Sequence, residues 1–113
     1  MDIRVQASGV SCTPAMAAHV RRSLNHRLLH RSDSVDRVEV RLGGGARSDD
    51  GNQDTYCLMQ LHLSGGSAAT VVDLGTDMQM TIARAAERVG RLAGAKLLAA
   101  KARPAGGPDW AGR

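Results

Sequence analysis

The sequence predicts an α+β fold, a single-domain two-layer sandwich with the element order β-α-β-β-β-α. Three observations predict it: apolar and polar residues alternate over four short segments, apolar residues recur every three or four positions over two longer segments, and glycines separate several of them. A four-stranded sheet with two helices on one face would bury all these apolar surfaces in two layers. The length agrees, because 113 residues fit one domain.

The first strand is predicted over residues 2–7, where alternate apolar residues share one face. Thr13 is a typical helix N-cap, and Pro14 suits the first helical position. The helix that follows is expected to run to about residue 31, with this apolar stripe: Ala17, Val20, Leu24 and Leu28. Since this helix forms the first crossover, strands one and two should be parallel.

Three more strands are predicted from alternation, at residues 35–42, 55–63 and about 68–74. The register of the last strand is open, because Val71 and Val72 are adjacent and Asp73 interrupts the pattern. Residues 43–54 are rich in glycine and polar side chains, which predicts a flexible hairpin loop.

A second helix is predicted from residue 77 to about 101, with Thr76 or Asp77 as its cap. Its expected buried stripe is Met78, Ile82, Ala85, Val89, Leu92 and Ala93. Residues 1–101 therefore form the predicted domain. The tail, residues 102–113, contains Pro and several Gly and is predicted to be disordered.

The composition indicates a basic protein with an aliphatic core. Fifteen Lys and Arg against eleven Asp and Glu give a net charge of +4, and there is no Phe. A mildly basic domain is attracted to polyanions. The N-terminal residues lack the apolar core of a signal peptide, and no apolar run is long enough to span a membrane. We therefore expect a cytoplasmic protein with reduced thiols, Cys12 being a small buried side chain.

Arginines concentrate on both predicted helices. Arg84, Arg88 and Arg91 share one stripe of the second helix, opposite its apolar side. The first helix adds Arg21, Arg22 and the stretch from Arg27 to Arg31. If the helices pack side by side, these side chains form one arginine-rich plate suited to RNA phosphates. The alternative is a solvated outer face on which Glu87 pairs with Arg84 or Arg91.

The patterns do not predict an enzyme, a metal site, a cofactor or a small-molecule substrate. His26 and His30 have the i, i+4 spacing of metal ligands, but no third ligand stands at a fixed spacing, so a solvated pair is expected. Gly43 to Gly45 lack the lysine and hydroxyl of a phosphate loop. A pocket containing His62 or Cys57 with a shifted pKa would revive the enzymatic hypothesis.

Three stretches resemble one family in their order and spacing. Residues 1–5 continue through Gly9-Val10 to Thr13-Pro14-Ala15, residues 35–40 read Val-Asp-Arg-Val-Glu-Val, and Asp77-Met78 precedes Ile82. They resemble the opening strand and helix start, the second strand, and the entrance to the last helix of bacterial ribosome hibernation-promoting factors in their short form. These proteins are also called ribosome-associated inhibitors or sigma-modulation proteins.

The resemblance implies binding to the RNA of the small ribosomal subunit, in the channel used by mRNA and tRNA. Occupying that channel would silence translation in stationary phase or under stress. The family's basic positions match Arg22, Arg27, Arg88, Arg91 and Lys96. The stripe on the second helix adds Arg84, and the first helix adds Arg21. The predicted RNA-binding set is therefore Arg21, Arg22, Arg27, Arg84, Arg88, Arg91 and Lys96.

Departures from the family pattern leave a second hypothesis open. Gln79 replaces the usual Tyr, and the end of the second helix holds fewer lysines than is typical. Gly90 and Gly94 weaken that helix by about 1 kcal/mol each relative to Ala. The alternative is a divergent relative of the same fold that acts as a protein-interaction or regulatory module. Its docking surface would be Leu92, Leu97 and Leu98, and weak self-association also stays open.

Overall fold

Four strands and two helices follow one another in the predicted order. They are β1 (Asp2–Ser8), α1 (Pro14–Arg27), β2 (Val35–Arg47), β3 (Gln53–Leu63), β4 (Ala68–Gly75) and α2 (Met78–Ala102), with a short 3-10 helix at Leu29–Ser34. The computed structural model describes residues 1–47 and 53–102, apart from the side chains of residues 45–47, 53 and 100–102. The predicted α+β fold is confirmed.

The strands form one sheet in the order β1-β2-β3-β4, so β1 and β4 are its two edges. β1 pairs with β2 in parallel, Ile3 opposite Val38 and Val5 opposite Val40, as the helical crossover predicted. The other two pairings are antiparallel. α1 and α2 contact each other, and α2 also contacts β3 and β4. The helices therefore form one layer and the sheet the other.

The core lies between the two layers. It consists of alternate strand residues and the apolar stripes of both helices, and its largest fully buried aliphatic side chains are Leu24, Leu28, Leu42, Met59, Leu61 and Ile82. Burying each one stabilises the fold by roughly 1.5–3 kcal/mol. On β4, Val71 is buried while Val72 is 46% exposed, which settles the register that the sequence left open. Asp73, two residues after Val71, therefore faces the helices.

The first helix ends earlier than predicted. α1 stops at Arg27 rather than near residue 31, and Leu28 leaves the helical conformation although its N–H still bonds to the Leu24 carbonyl. The chain continues as the 3-10 helix Leu29–Ser34. A 3-10 helix rises about 2.0 Å per residue against 1.5 Å for an α-helix. The tighter winding thus carries the chain from the buried Leu28 to the start of β2 in few residues.

The predicted loop at residues 43–54 is wrong at both ends. β2 continues to Arg47 and β3 already begins at Gln53, while residues 48–52 lie outside the described part. Gly43 does not end the strand but pairs with Tyr56 on β3. The Tyr56 ring lies over Gly43, in the space that a Cβ atom at this position would fill. Glycine here makes room for an aromatic neighbour across the ladder.

The ends of the second helix are also defined. Asp77 is the cap, because its Oδ1 accepts a hydrogen bond from the Met80 N–H at 3.2 Å. α2 extends to Ala102, one residue into the predicted tail, and the remainder of the tail lies outside the described residues. Within residues 1–47 and 53–102, no helix is long and apolar enough to cross a membrane.

We expect Gly43→Ala to lower the free energy of unfolding by about 1–3 kcal/mol, because the new methyl group overlaps the Tyr56 ring. Gly65→Ala is the matched control, since a Cβ atom there meets nothing within 4 Å. Urea denaturation followed by circular dichroism measures both variants. Equal stability of the two variants would contradict the proposed ring contact.

Candidate nucleic-acid interface

The predicted RNA-binding residues all lie on α1 and α2. Six of the seven are exposed, and Lys96 is half-buried: Arg21, Arg22, Arg27, Arg84, Arg88, Arg91 and Lys96. The two helices pack side by side, as an arginine-rich surface spanning both helices requires. Most of the arginines nevertheless separate into groups with different surroundings, one at each edge of the sheet and one in the groove between the helices. Arg22 and Lys96 belong to none of these groups.

Two arginines of α2 hydrogen-bond to the edge strand β4. Arg84 donates from Nε to Asp73 Oδ2 at 3.0 Å and from Nη2 to the Leu74 carbonyl at 3.1 Å. Arg88 donates from Nη1 to the Val72 carbonyl at 2.8 Å. Because β4 is an edge strand, carbonyls on its outer side have no strand to pair with. These two arginines therefore satisfy the sheet edge as well as facing solvent.

Arg21 makes the equivalent contact at the opposite edge. Its Nη1 donates to the Ile3 carbonyl on β1 at 2.9 Å. A guanidinium has five N–H donors, so each of these three edge arginines keeps donors for a further anion. Part of their role is nevertheless structural, which sequence spacing did not indicate.

The third group lies in an open groove between the end of α1 and the middle of α2. The groove has a volume of about 440 Å³ and is lined by Arg27, Arg31, Glu87, Gly90, Arg91, Gly94, Ala95 and Leu98. Glu87 pairs with Arg91, Oε2 to Nη2, at 3.9 Å. We call Arg27, Arg31 and Arg91 the groove arginines. The sequence placed Arg31 on the basic surface of the first helix but did not include it in the RNA-binding set; the structure places it on the 3-10 helix, in this groove.

Gly90 and Gly94 allow this close approach of the two helices. A Cβ atom on Gly90 would stand 3.1 Å from both the Cβ and the carbonyl oxygen of Arg27. A Cβ atom on Gly94 would stand 3.0 Å from Nη2 of Arg31. The two glycines, which the sequence indicated only as weak points of the helix, thus leave the space in which the end of α1 and the Arg31 side chain lie.

The residues named for an enzymatic alternative do not form a reactive pair. Cys57 is fully buried, and burial, with a smaller contribution from Asp73, raises the pKa of its thiol to about 12. A thiol with so high a pKa has almost no thiolate at neutral pH and is not a nucleophile. His62 lies on the sheet, its Nε2 3.5 Å from Oε2 of Glu39. A hydrogen bond from Arg37 lowers the pKa of that glutamate.

The remaining candidates for chemistry lie on the surface. His26 and His30 are both exposed, as expected for a solvated pair. Cys12 is exposed and free, so the expectation that it is buried was wrong. It lies in the segment between β1 and α1, away from the buried stripe of either element. In the described ranges, no group of three or more His, Cys, Asp or Glu residues could hold a metal ion.

The apolar surface proposed for a protein partner is smaller than the sequence indicated. Leu92 and Leu97 are partly buried and pack against the core. Leu98 is 69% exposed. Of the three leucines, only Leu98 therefore offers a large exposed surface, and it lies at the rim of the groove.

We expect the double variant Arg84→Ala/Arg88→Ala to lose about 1–2 kcal/mol of stability and to associate more readily than the unchanged protein. It removes charged hydrogen bonds from exposed edge carbonyls and leaves β4 open to a second chain. The double variant Arg22→Ala/Arg91→Ala removes the same charge without touching the edge. Urea denaturation measures the stability of both double variants, and light scattering measures their association. Equal stability and equal association of the two would contradict the role of Arg84 and Arg88 at the sheet edge.

Several solved structures share the fold of this chain. A ribosomal subunit interface protein from Coxiella burnetii superposes with a TM-score of 0.73 and 16% sequence identity, over 87% of this chain and 99% of that chain. The N-terminal domain of Thermus thermophilus Protein Y gives a TM-score of 0.69 and 17% identity, over 85% and 99%. No protein-family model matches the sequence, and no curated protein does. The β-α-β-β-β-α fold implied by the family resemblance is therefore confirmed.

Proposed function

We propose that this chain is a bacterial, cytoplasmic hibernation-promoting factor that binds the RNA of the small ribosomal subunit and inhibits translation under stress. The observation that carries the proposal is the arginine-lined helix layer, on a fold shared with a protein named as a ribosomal subunit interface protein. The order and spacing of the three resembling stretches support the same conclusion. The proposed site is the channel used by mRNA and tRNA.

The proposed function requires binding and no reaction. Arginine guanidinium groups remain charged at any physiological pH, and their planar forks match the oxygens of phosphate groups. A protein that covers the channel excludes mRNA and tRNA simply by occupying it. RNA helices are recognised largely through their shape and phosphates, which suits a surface of arginines without aromatic platforms.

The charges of the two layers differ in how they are paired. On the sheet, Arg4 pairs with Asp2 at 2.9 Å and Arg37 pairs with Glu39 at 2.7 Å. On the helices, Arg84 pairs with Asp73 and Arg91 lies 3.9 Å from Glu87. Arg22 and Arg27, by contrast, have no acidic partner within 4.0 Å among the residues that the structure describes, so their charges are available to phosphates.

The contacts separate the predicted residues by expected role. Arg22, Arg27, Arg91 and Lys96 make no hydrogen bond to the sheet edges among the described residues, and we assign them chiefly to RNA. Arg21, Arg84 and Arg88 hold the edges, and we assign them a mixed role. Arg31 joins the first group through the groove. Mutating the groove arginines should therefore affect binding with less effect on stability than mutating the edge arginines.

We expect the unchanged protein to cosediment with bacterial small ribosomal subunits at low salt and to dissociate as salt rises. Arg27→Ala/Arg91→Ala should weaken binding at least tenfold and reduce the slope of log affinity against log salt by about 2, one for each lost phosphate contact. Arg4→Ala/Arg41→Ala removes the same charge from the sheet side and should bind normally.

Two outcomes would contradict the proposal. If both double variants lose affinity equally, net charge and not the helix surface controls binding. If the unchanged protein stays in the supernatant even at low salt, the likeness extends to fold only. A protein-interaction module is then the better hypothesis.

A further inference from the structure

We infer that the groove between α1 and α2 binds a free compound with a diphosphate group, such as a nucleoside diphosphate. The same arginines would then serve RNA and a small ligand in turn. Binding of the diphosphate does not depend on the proposed function. Only the competition between the diphosphate and RNA for the same arginines rests on that function.

The charges in the groove match a multiply charged group. The three groove arginines and one carboxylate, Glu87, line a single concavity, which leaves an excess of about two positive charges. Arg91 is the one that lies within 4.0 Å of that carboxylate. A phosphate monoester carries about −1.5 to −2 at neutral pH, whereas each phosphate along an RNA strand carries one charge. Three arginines around one concavity therefore suit a diphosphate better than evenly spaced single charges.

The shape of the groove admits a small molecule. The groove is open to solvent on one side, and its volume of about 440 Å³ has room for a diphosphate group. Gly90 and Gly94 lie on the floor of the groove, and the space that their side chains would fill is occupied by Arg27 and the Arg31 guanidinium. The Arg31 guanidinium lies against Gly94 on one side, with its Nη2 3.0 Å from where a Cβ atom would be. The planar fork of this guanidinium matches the oxygens of a phosphate group in bidentate contact.

The rim of the groove indicates a nucleotide rather than a bare ion. Leu98 and Ala95 lie among the lining residues, and Leu98 is 69% exposed. An apolar rim beside a cationic centre suits the flat face of a base, while the phosphates occupy the arginine end. This assignment also gives the most exposed leucine of α2 a role.

The direct test is isothermal titration of the purified full chain with inorganic pyrophosphate and with adenosine diphosphate. We expect saturable binding of one equivalent, at least tenfold weaker in Arg31→Ala. Arg22→Ala is the matched control, because it removes one charge from α1 outside the groove lining, and it should bind within twofold of the unchanged protein. Arg31→Lys keeps the charge but loses the fork, and should bind with intermediate affinity.

A second variant keeps the test valid if Arg31→Ala impairs folding. Gly94→Ala introduces a methyl group that displaces only the flexible end of Arg31, and alanine favours the helix by about 1 kcal/mol. It should therefore fold at least as stably as the unchanged protein and still bind pyrophosphate several-fold more weakly. Retained binding in a folded Gly94→Ala variant would count against the site.

The outcomes separate this inference from the proposed function. Pyrophosphate binding that is absent, or equally weak in the Arg22→Ala and Arg31→Ala variants, overturns the diphosphate site even if ribosomes are bound. Ribosome binding lost in Arg31→Ala without any pyrophosphate binding assigns the groove to RNA alone and also overturns it. Pyrophosphate binding dependent on Arg31 without ribosome binding supports the site and overturns the proposed function. Release of bound protein from ribosomes by pyrophosphate, but not by sulfate at equal ionic strength, supports both.

Discussion

The close approach of α1 and the 3-10 helix to Gly90 and Gly94 of α2 is the constraint on which the surface of this protein depends. Gly90 lies against Arg27 at the end of α1, and Gly94 lies against Arg31 on the 3-10 helix. Ala85, Ala86 and Ala93 of the same helix as the two glycines are fully buried. Because the sequence has no Phe, the core is aliphatic. Close packing of small residues lets dispersion contacts compensate for side chains that bury little area.

This packing has a direct consequence for charge. The end of α1 and the 3-10 helix bring Arg27 and Arg31 to the same groove as Arg91. Larger residues at Gly90 and Gly94 would push the elements apart or displace the Arg31 side chain. The intrinsic helix cost of the two glycines, about 1 kcal/mol each, is therefore offset by a tertiary contact. At Gly94, helix stability favours alanine, whereas the Arg31 side chain occupies the space that a Cβ atom would need.

Arginine serves two physical purposes in this fold. At the sheet edges, Arg21, Arg84 and Arg88 donate to carbonyls that no strand covers, which is one way to protect an edge from pairing with another chain. In the groove, arginines face solvent and concentrate positive charge. The same residue type thus stabilises the sheet and supplies the surface for an anionic partner. Its five donors make the combination feasible, because one contact leaves the others free.

The sequence by itself determined the element order, the parallel β1–β2 pair and most of the core. Alternation in β2 and β3, and the three-and-four spacing in α1 and α2, depend only on local periodicity, so they were readable without tertiary information. Thr13 and Asp77 likewise marked the helix starts through local hydrogen bonds. The placement of arginines on the helices followed from the same periodicity.

Tertiary structure decided what local patterns could not. The register of β4 depended on which of Val71 and Val72 meets α2, and the early end of α1 depended on the path to β2. The continuation of β2 past Gly43 required the Tyr56 ring on a neighbouring strand. The division of arginines between edges and groove required the strand order and the helix contact. Each of these features joins residues distant in the chain, and side-chain spacing along one element carries no information about its partner.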